Sequence, residues 1–175
     1  MVGTAGLTFL LLGFAEPLLR LFPESRPAVE HLETDLRNLR PEIAWPMVVI
    51  FAPLGEELLF RGAALRAFRA SYGTAAALAL TTLIFAVIHI EPPRILMISA
   101  LGLWFGGLAV RSGGPLMSIA AHAVNNGIIL ALVRSGVDSV PLPAAAAGGG
   151  ALAVSVFVLF ARRGSVQGSG EGGTS

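Results

Sequence analysis

The feature that most limits this chain is the recurrence of apolar runs about as long as a bilayer is thick. A helix crossing the hydrocarbon needs about 20 mostly apolar residues. Such runs occur at residues 2–22, 42–70, 74–90, 94–110, 116–134 and about 144–161. Backbone amides find no water inside a bilayer, so runs of this kind are expected to be helices. The expected fold is therefore all-α, a polytopic membrane helical bundle with about six transmembrane helices. Composition agrees. The chain is 54% hydrophobic and 13% charged, where a soluble domain carries about 25% charged residues. Too little polar sequence remains for a separate soluble domain.

Breakers and charges divide the chain further. Residues 1–22 read as the first transmembrane helix, with Glu16-Pro17 in its last third, where proline is expected to kink it. No basic segment precedes the run, so it reads as a span rather than a cleaved signal peptide. Residues 23–41 are the most charged stretch. Val29, Leu32, Leu36 and Leu39 recur there at helical spacing, which predicts an amphipathic helix on the membrane surface. A solvated loop helix fits equally well. Residues 42–70 are too long for one crossing, and Arg61, Arg66 and Arg69 near their end place that end beyond the hydrocarbon. Glu91-Pro92-Pro93 stops the third run, and Ser112-Gly113-Gly114-Pro115 is a turn by composition. Residues 144–163 read as the last span, weakened at its start by Gly148-Gly149-Gly150 and closed by Arg162-Arg163. Residues 164–175 read as a disordered Gly/Ser tail.

Charge and cysteine content exclude several functions. With no cysteine, the chain can form no disulfide, thiolate nucleophile or cysteine-ligated metal site. A net charge of +1 implies no nucleic-acid partner. Membrane lipids are the expected surroundings. All 12 basic residues are arginine. Arg20, Arg26, Arg37, Arg40, Arg94 and Arg134 fall on one side of a six-span topology and the other six on the opposite side, so the positive-inside rule assigns no orientation.

An ionisable group inside a span costs about 2.5–3.5 kcal/mol or more, and persists when paired, solvated or functional. Glu56, Glu57, His89 and His122 lie deep in the expected helices, with Asn126 as a further strong hydrogen-bonding group. Glu57 and Arg61 are spaced i,i+4, so an ion pair is expected between them. Glu56 is rotated about 100° around the helix, away from that pairing and toward a cavity. An apolar cavity makes it a candidate general base. Counted from Tyr72, Glu56 lies 16 residues before the turn and His89 17 after it, which places them level on antiparallel helices. His122 and Asn126 are again i,i+4 and can face the same cavity. Glutamate and histidine together can deprotonate a water. A second histidine and an asparagine can donate to a developing oxyanion. The same Glu56, His89 and His122 are legitimate zinc ligands, although the HExxH signature is absent. Asn125 points elsewhere by helical spacing and is not assigned. Trp45 and Trp104 read as interface or packing residues, His31 as solvated, and Gly102, Gly106 and Gly107 as permitting close helix packing.

Three motifs stand in order. Glu56-Glu57-Leu58-Leu59-Phe60-Arg61 matches EExxxR, residues 85–89 (FAVIH) match FxxxH, and residues 122–126 (HAVNN) match HxxxN. In this order the chain resembles the CPBP family of CAAX proteases and bacteriocin-processing enzymes, also called Abi or type II CAAX prenyl endopeptidases. The likeness covers residues 42–134 as a catalytic core. It implies an intramembrane endopeptidase in which Glu56 and His89 activate water, His122 and Asn126 form the oxyanion site, and Glu57 and Arg61 support it. It implies a peptide or protein substrate, lipidated in the CAAX-type members. The Glu/His water mechanism requires no cofactor, while the family's metalloprotease label leaves a divalent metal such as zinc as a second option. The Lys-free composition points to a bacterial inner membrane, where a bacteriocin-like precursor is as good a substrate as a CAAX motif. Two other functions fit the same polar cluster: a non-catalytic binding or immunity protein, and an ion or proton pathway.

Overall fold

The computed structural model describes residues 1–137 and 140–161. Helix α1 spans Val2–Leu21 and α2 spans Arg26–Asn38, joined by a single 3-10 turn at Pro23–Ser25. A continuous helical stretch follows. It contains α3 (Pro41–Trp45), a π-helical segment Pro46–Phe51, α4 (Ala52–Glu57), a second π-helical segment Leu58–Ala64, and α5 (Leu65–Val87). Then come α6 (Pro92–Ser112), α7 (Leu116–Arg134) and α8 (Leu142–Ala161). The described residues contain no strand.

Five stretches are long and apolar enough to cross a membrane: Val2–Leu21, Pro41–Val87, Pro92–Ser112, Leu116–Arg134 and Leu142–Leu159. The second, at 47 residues, is not one crossing. Gly73 breaks it with φ 77° and ψ 173°, a backbone conformation in which a side chain would be strained. The rings of Phe60 and Phe85 then lie 5.1 Å apart. A straight helix would hold these two residues on the order of 37 Å apart. The stretch is therefore a hairpin, and the bundle has six apolar arms. Large apolar side chains such as Phe14, Phe51, Leu83, Leu103 and Phe157 face outward, as they do where lipid rather than water surrounds the protein.

The third arm ends at Val87, not at residue 90 as the apolar run suggested. The backbone there turns sharply. The N–H of Glu91 reaches the carbonyl of His89 at 2.8 Å, with Ile90 between them at φ 67°. The fourth arm is longer than its apolar run, starting at Pro92, where proline suits a first helical turn. Pro17 lies inside a continuous α1. The expected tail at 164–175 lies outside the described residues.

The glycines of α8 do something other than weaken its start. Helices α1 and α8 run antiparallel in close approach. A Cβ on Gly6 would stand 2.5 Å from the Gly148 carbonyl oxygen, and one on Gly148 would stand 2.6 Å from that of Gly6. Small residues at the crossing let the backbones approach to van der Waals contact, the main attraction between helices in lipid. Gly102 and Gly106 on α6 serve similarly against α5, where Cβ atoms would meet Thr82 at 3.1 Å and Leu78 at 2.7 Å; Gly107 faces open space. The core formed by Leu7, Leu101, Phe105 and Ala121 ties α1, α6 and α7 together. A second cluster, Leu65, Ala77 and Ala109, closes the α5 hairpin against α6.

Candidate active site

The site begins with an irregularity in the backbone. In the first π-helical segment the N–H of Ala52 reaches back to Met47. Pro53 has no N–H to give. The Val48 carbonyl is thus left without its usual helical donors. Glu56 and Glu57 follow in the last turn of α4, and the second π-helical segment begins at Leu58. Such π turns occur frequently at functional sites, because they re-aim side chains without ending the helix.

Glu57 is fully buried. Its Oε1 accepts from Arg61 Nη1 at 3.2 Å and from His122 Nδ1 at 3.0 Å. The expected i,i+4 ion pair is therefore present, with both side chains at 0% exposure. Arg61 donates a further bond from Nη2 to the Gly102 carbonyl at 3.0 Å, and its guanidinium lies 4.5 Å from the centre of the Phe85 ring. Charges removed from solvent need this degree of pairing. Sequence spacing gave no hint that Glu57 also holds His122, since 65 residues separate them. With Nδ1 donating to Glu57, His122 turns Nε2 toward Glu56, whose Oε2 is 3.8 Å away. Phe105 stacks on the same imidazole with ring centres 4.9 Å apart. The ring is thus fixed on one edge and one face.

Glu56 has a different environment. Its side chain keeps 34% exposure and lines a cavity of about 400 Å³. His89, His122 and Asn126 line the same cavity, so the structure brings all four singled-out residues onto one wall system. His89 lies in the turn beyond α5 and is half-buried. Its Nδ1 bonds the Phe85 carbonyl at 2.8 Å. Nδ1–H donates there, because a carbonyl only accepts, and this leaves Nε2 as an acceptor. Burial pushes the His89 pKa below its ordinary value, against a smaller opposing effect of the Phe85 hydrogen bond. The ring is therefore neutral at neutral pH. Phe85 lies edge-on to both imidazoles, with ring centres 5.2 Å from His89 and 6.0 Å from His122.

Asn126 donates from Nδ2 to the orphaned Val48 carbonyl at 2.9 Å. Asn125, left aside on helical spacing, is buried and donates from Nδ2 to Asn126 Oδ1 at 3.1 Å. It too lines the cavity. Adjacent residues on a helix point about 100° apart, which argued against this contact, but two amides are long enough to close the angle.

Helix α2 contributes to the cavity lining. Val29, Leu32 and Leu36, the apolar stripe read as a membrane-surface face, line the cavity. Arg134 holds the end of α2 down, donating from Nη1 to the carbonyls of Leu36 and Leu39 at 2.9 and 2.8 Å. A larger groove, about 530 Å³, lies between α6 and α8 and contains none of the four candidate residues. Trp45 is exposed and Trp104 half-buried, its Nε1 donating to Thr4 Oγ1 at 3.0 Å. His31 lies 3.5 Å from Asp35 and away from the cavity.

Among the described residues no three His, Asp or Glu side chains are placed to share a metal ion. His122 Nδ1 is committed to Glu57 and His89 Nδ1 to the Phe85 carbonyl, which leaves each Nε2 free. No step below is routed through a metal.

Comparison with known proteins gives one match. The family model described as type II CAAX prenyl endopeptidase Rce1-like matches residues 39–128. No curated protein and no solved structure matches. The matched segment holds Glu56, His89, His122 and Asn126, and stops short of α1, α2 and α8. Taken with the apolar helical bundle, it makes this an integral membrane protein of CAAX-type intramembrane protease kind. The chain belongs to the Rce1-like family of type II CAAX prenyl endopeptidases.

Proposed function

We propose that the chain is an endopeptidase that hydrolyses a peptide bond near the membrane surface, with Glu56 as general base. The supporting observation is the division between two adjacent carboxylates. Glu57 is buried and held through Oε1 by Arg61 and His122, whereas Glu56 keeps an open face on the cavity. A water held between Glu56 and the free Nε2 of His89 loses its proton to Glu56 as its oxygen attacks the scissile carbonyl. The carbonyl oxygen becomes an anion, which His122 and Asn126 stabilise by donating hydrogen bonds. His122 donates through Nε2 as the imidazolium, since Nδ1–H is already on Glu57. Glu56 then passes its proton to the leaving amine, and the two peptide fragments separate.

The substrate is an apolar peptide or protein segment in or beside a bacterial inner membrane. Leu12, Leu32, Met97 and Ile129 give the cavity an apolar lining that fits such a chain, lipidated or not. Glu56→Gln keeps the shape and hydrogen bonding of the side chain and removes its basicity. The expected result, in purified and reconstituted protein, is a loss of cleavage by about 10³-fold or more, equivalent to about 4 kcal/mol of barrier. The variant should insert and fold normally. Undiminished cleavage by this variant would refute the proposal and favour a binding or immunity role for the same cavity. Cleavage is also expected to survive prolonged treatment with a strong chelator; loss of activity restored by zinc would replace the metal-free step.

A further inference from the structure

A chain of side-chain hydrogen bonds runs from Thr8 on α1 through Asn125 to Asn126, the asparagine of the HxxxN motif. We propose that Thr8 and Asn125 are positioning residues that fix which end of the Asn126 amide faces the substrate. This rests on the oxyanion role given to Asn126 above.

The polarity of the chain can be worked out from its far end. The Val48 carbonyl can only accept, so the Asn126 atom 2.9 Å from it must be Nδ2. Asn126 Oδ1 then faces Asn125 at 3.1 Å and needs a donor, so Asn125 presents Nδ2. Asn125 Oδ1 is left facing Thr8 Oγ1 at 2.9 Å, and Thr8 must donate to it. Thr8 Oγ1 is also 2.9 Å from the Thr4 carbonyl. One hydroxyl has one proton; the Thr4 carbonyl keeps its helical N–H without it, whereas no other donor among the described residues reaches Asn125 Oδ1. The proton therefore goes to Asn125. Thr4 is held in turn by Trp104 Nε1 at 3.0 Å. Thr8 and Asn125 are 1% and 3% exposed, so no solvent competes for these bonds.

The consequence falls on Asn126. Its Oδ1 is taken by Asn125, and one of its two Nδ2 protons is taken by Val48. What remains is a single N–H. An amide turned the other way would offer the cavity a carbonyl oxygen, which repels an oxyanion. The sense of this amide is thus set by an acceptor freed in a π turn and a hydroxyl on α1.

Thr8→Val is nearly isosteric and removes only the donor. It is expected to lower kcat by about 10-fold with KM unchanged, the signature of an interaction made in the transition state alone. Thr8→Ser, which restores the hydroxyl, is expected to restore kcat. Asn125→Leu, which cannot orient Asn126 from that side, is expected to lower kcat by a similar factor. Binding of a tetrahedral phosphonate analogue of the cleaved peptide should weaken in parallel, while binding of the uncleaved peptide to a Glu56→Gln background should not. A wild-type kcat for Thr8→Val would overturn the inference. So would a loss that Thr8→Ser fails to rescue, or one shared equally between kcat and KM. Failure of the underlying catalytic reading is separately visible, as retained cleavage by Glu56→Gln alone.

Discussion

Two walls of the same cavity are built on opposite terms. The α4–α7 wall carries Glu56, His122 and Asn126, each next to a buried partner network: Glu57 with Arg61 and Gly102 behind the first two, Asn125 with Thr8 behind the third. The wall beyond the end of α5 carries His89, held by one bond to the Phe85 carbonyl and followed by a strained turn at Ile90. One wall is fixed by buried side-chain partners, the other by local backbone geometry. A peptidase of this design would keep its oxyanion donors and base rigid and leave compliance to the water-holding histidine. Separating those two kinds of support is what the following variants do.

The largest effect is expected on the α4–α7 wall. Arg61→Met removes the guanidinium and leaves Glu57 buried without its cation. Breaking a buried pair costs about 3–5 kcal/mol, so unfolding in mild detergent should shift strongly. Removing both charges, as Glu57→Gln with Arg61→Met, should recover part of that stability, because the uncompensated charge is gone. Cleavage should stay low in the double variant, since His122 loses the carboxylate that holds its ring. If stability and cleavage recover together, Glu57 is a structural counter-ion only and the contrast between the walls fails.

A smaller effect, confined to chemistry, is expected from Asn126→Ala. Loss of one oxyanion donor typically costs about 10²–10³ in kcat. The Val48 carbonyl would also lose its partner, so a modest loss of stability should accompany it. A kcat within a few-fold of wild type, measured with KM on a quenched peptide, would remove Asn126 from the oxyanion site.

The sequence made part of the α4–α7 wall legible and hid the rest. The helices follow from apolar run length, and the Glu57–Arg61 pair follows from i,i+4 spacing, because both depend on local geometry. Glu56 facing the cavity follows from the same local geometry, as the neighbour that cannot share that face. The hydrogen bond from His122 to Glu57 was not legible. It joins residues on different helices and needs the tertiary packing of α4 on α7. The Val48–Asn126–Asn125–Thr8 chain was hidden twice over. A threonine in an apolar helix can be satisfied by its own backbone and so gives no signal, and consecutive asparagines point apart by helical spacing. A clue did exist at Pro46 and Pro53, seven residues apart inside an apolar run. Two prolines in one span imply free carbonyls that something must satisfy. The contact made by Gly148 on α8 was hidden for a related reason: glycine lowers helix propensity in isolation, while in lipid its missing side chain permits contact.

The smallest expected effect probes the strained wall. Ile90 is β-branched and sits at φ 67°, where such residues are genuine outliers. Its side chain is 78% exposed, so little packing offsets the strain. Ile90→Gly removes the clash at no loss of buried surface, and stabilisation by on the order of 1 kcal/mol is expected from relief of an unfavourable backbone conformation. Glycine also widens the range of turn geometries, and His89 is the preceding residue. The two consequences separate in measurement. The midpoint of unfolding should rise slightly, while kcat falls by a few-fold because the water-holding ring is less well placed. The same substitution has no counterpart on the α4–α7 wall, where orientation depends on buried partners. If Ile90→Gly raises stability and leaves kcat untouched, His89 is positioned by its Phe85 carbonyl bond and ring contact alone. The turn would then be a topological necessity of a short α5–α6 connection rather than part of how the site is held.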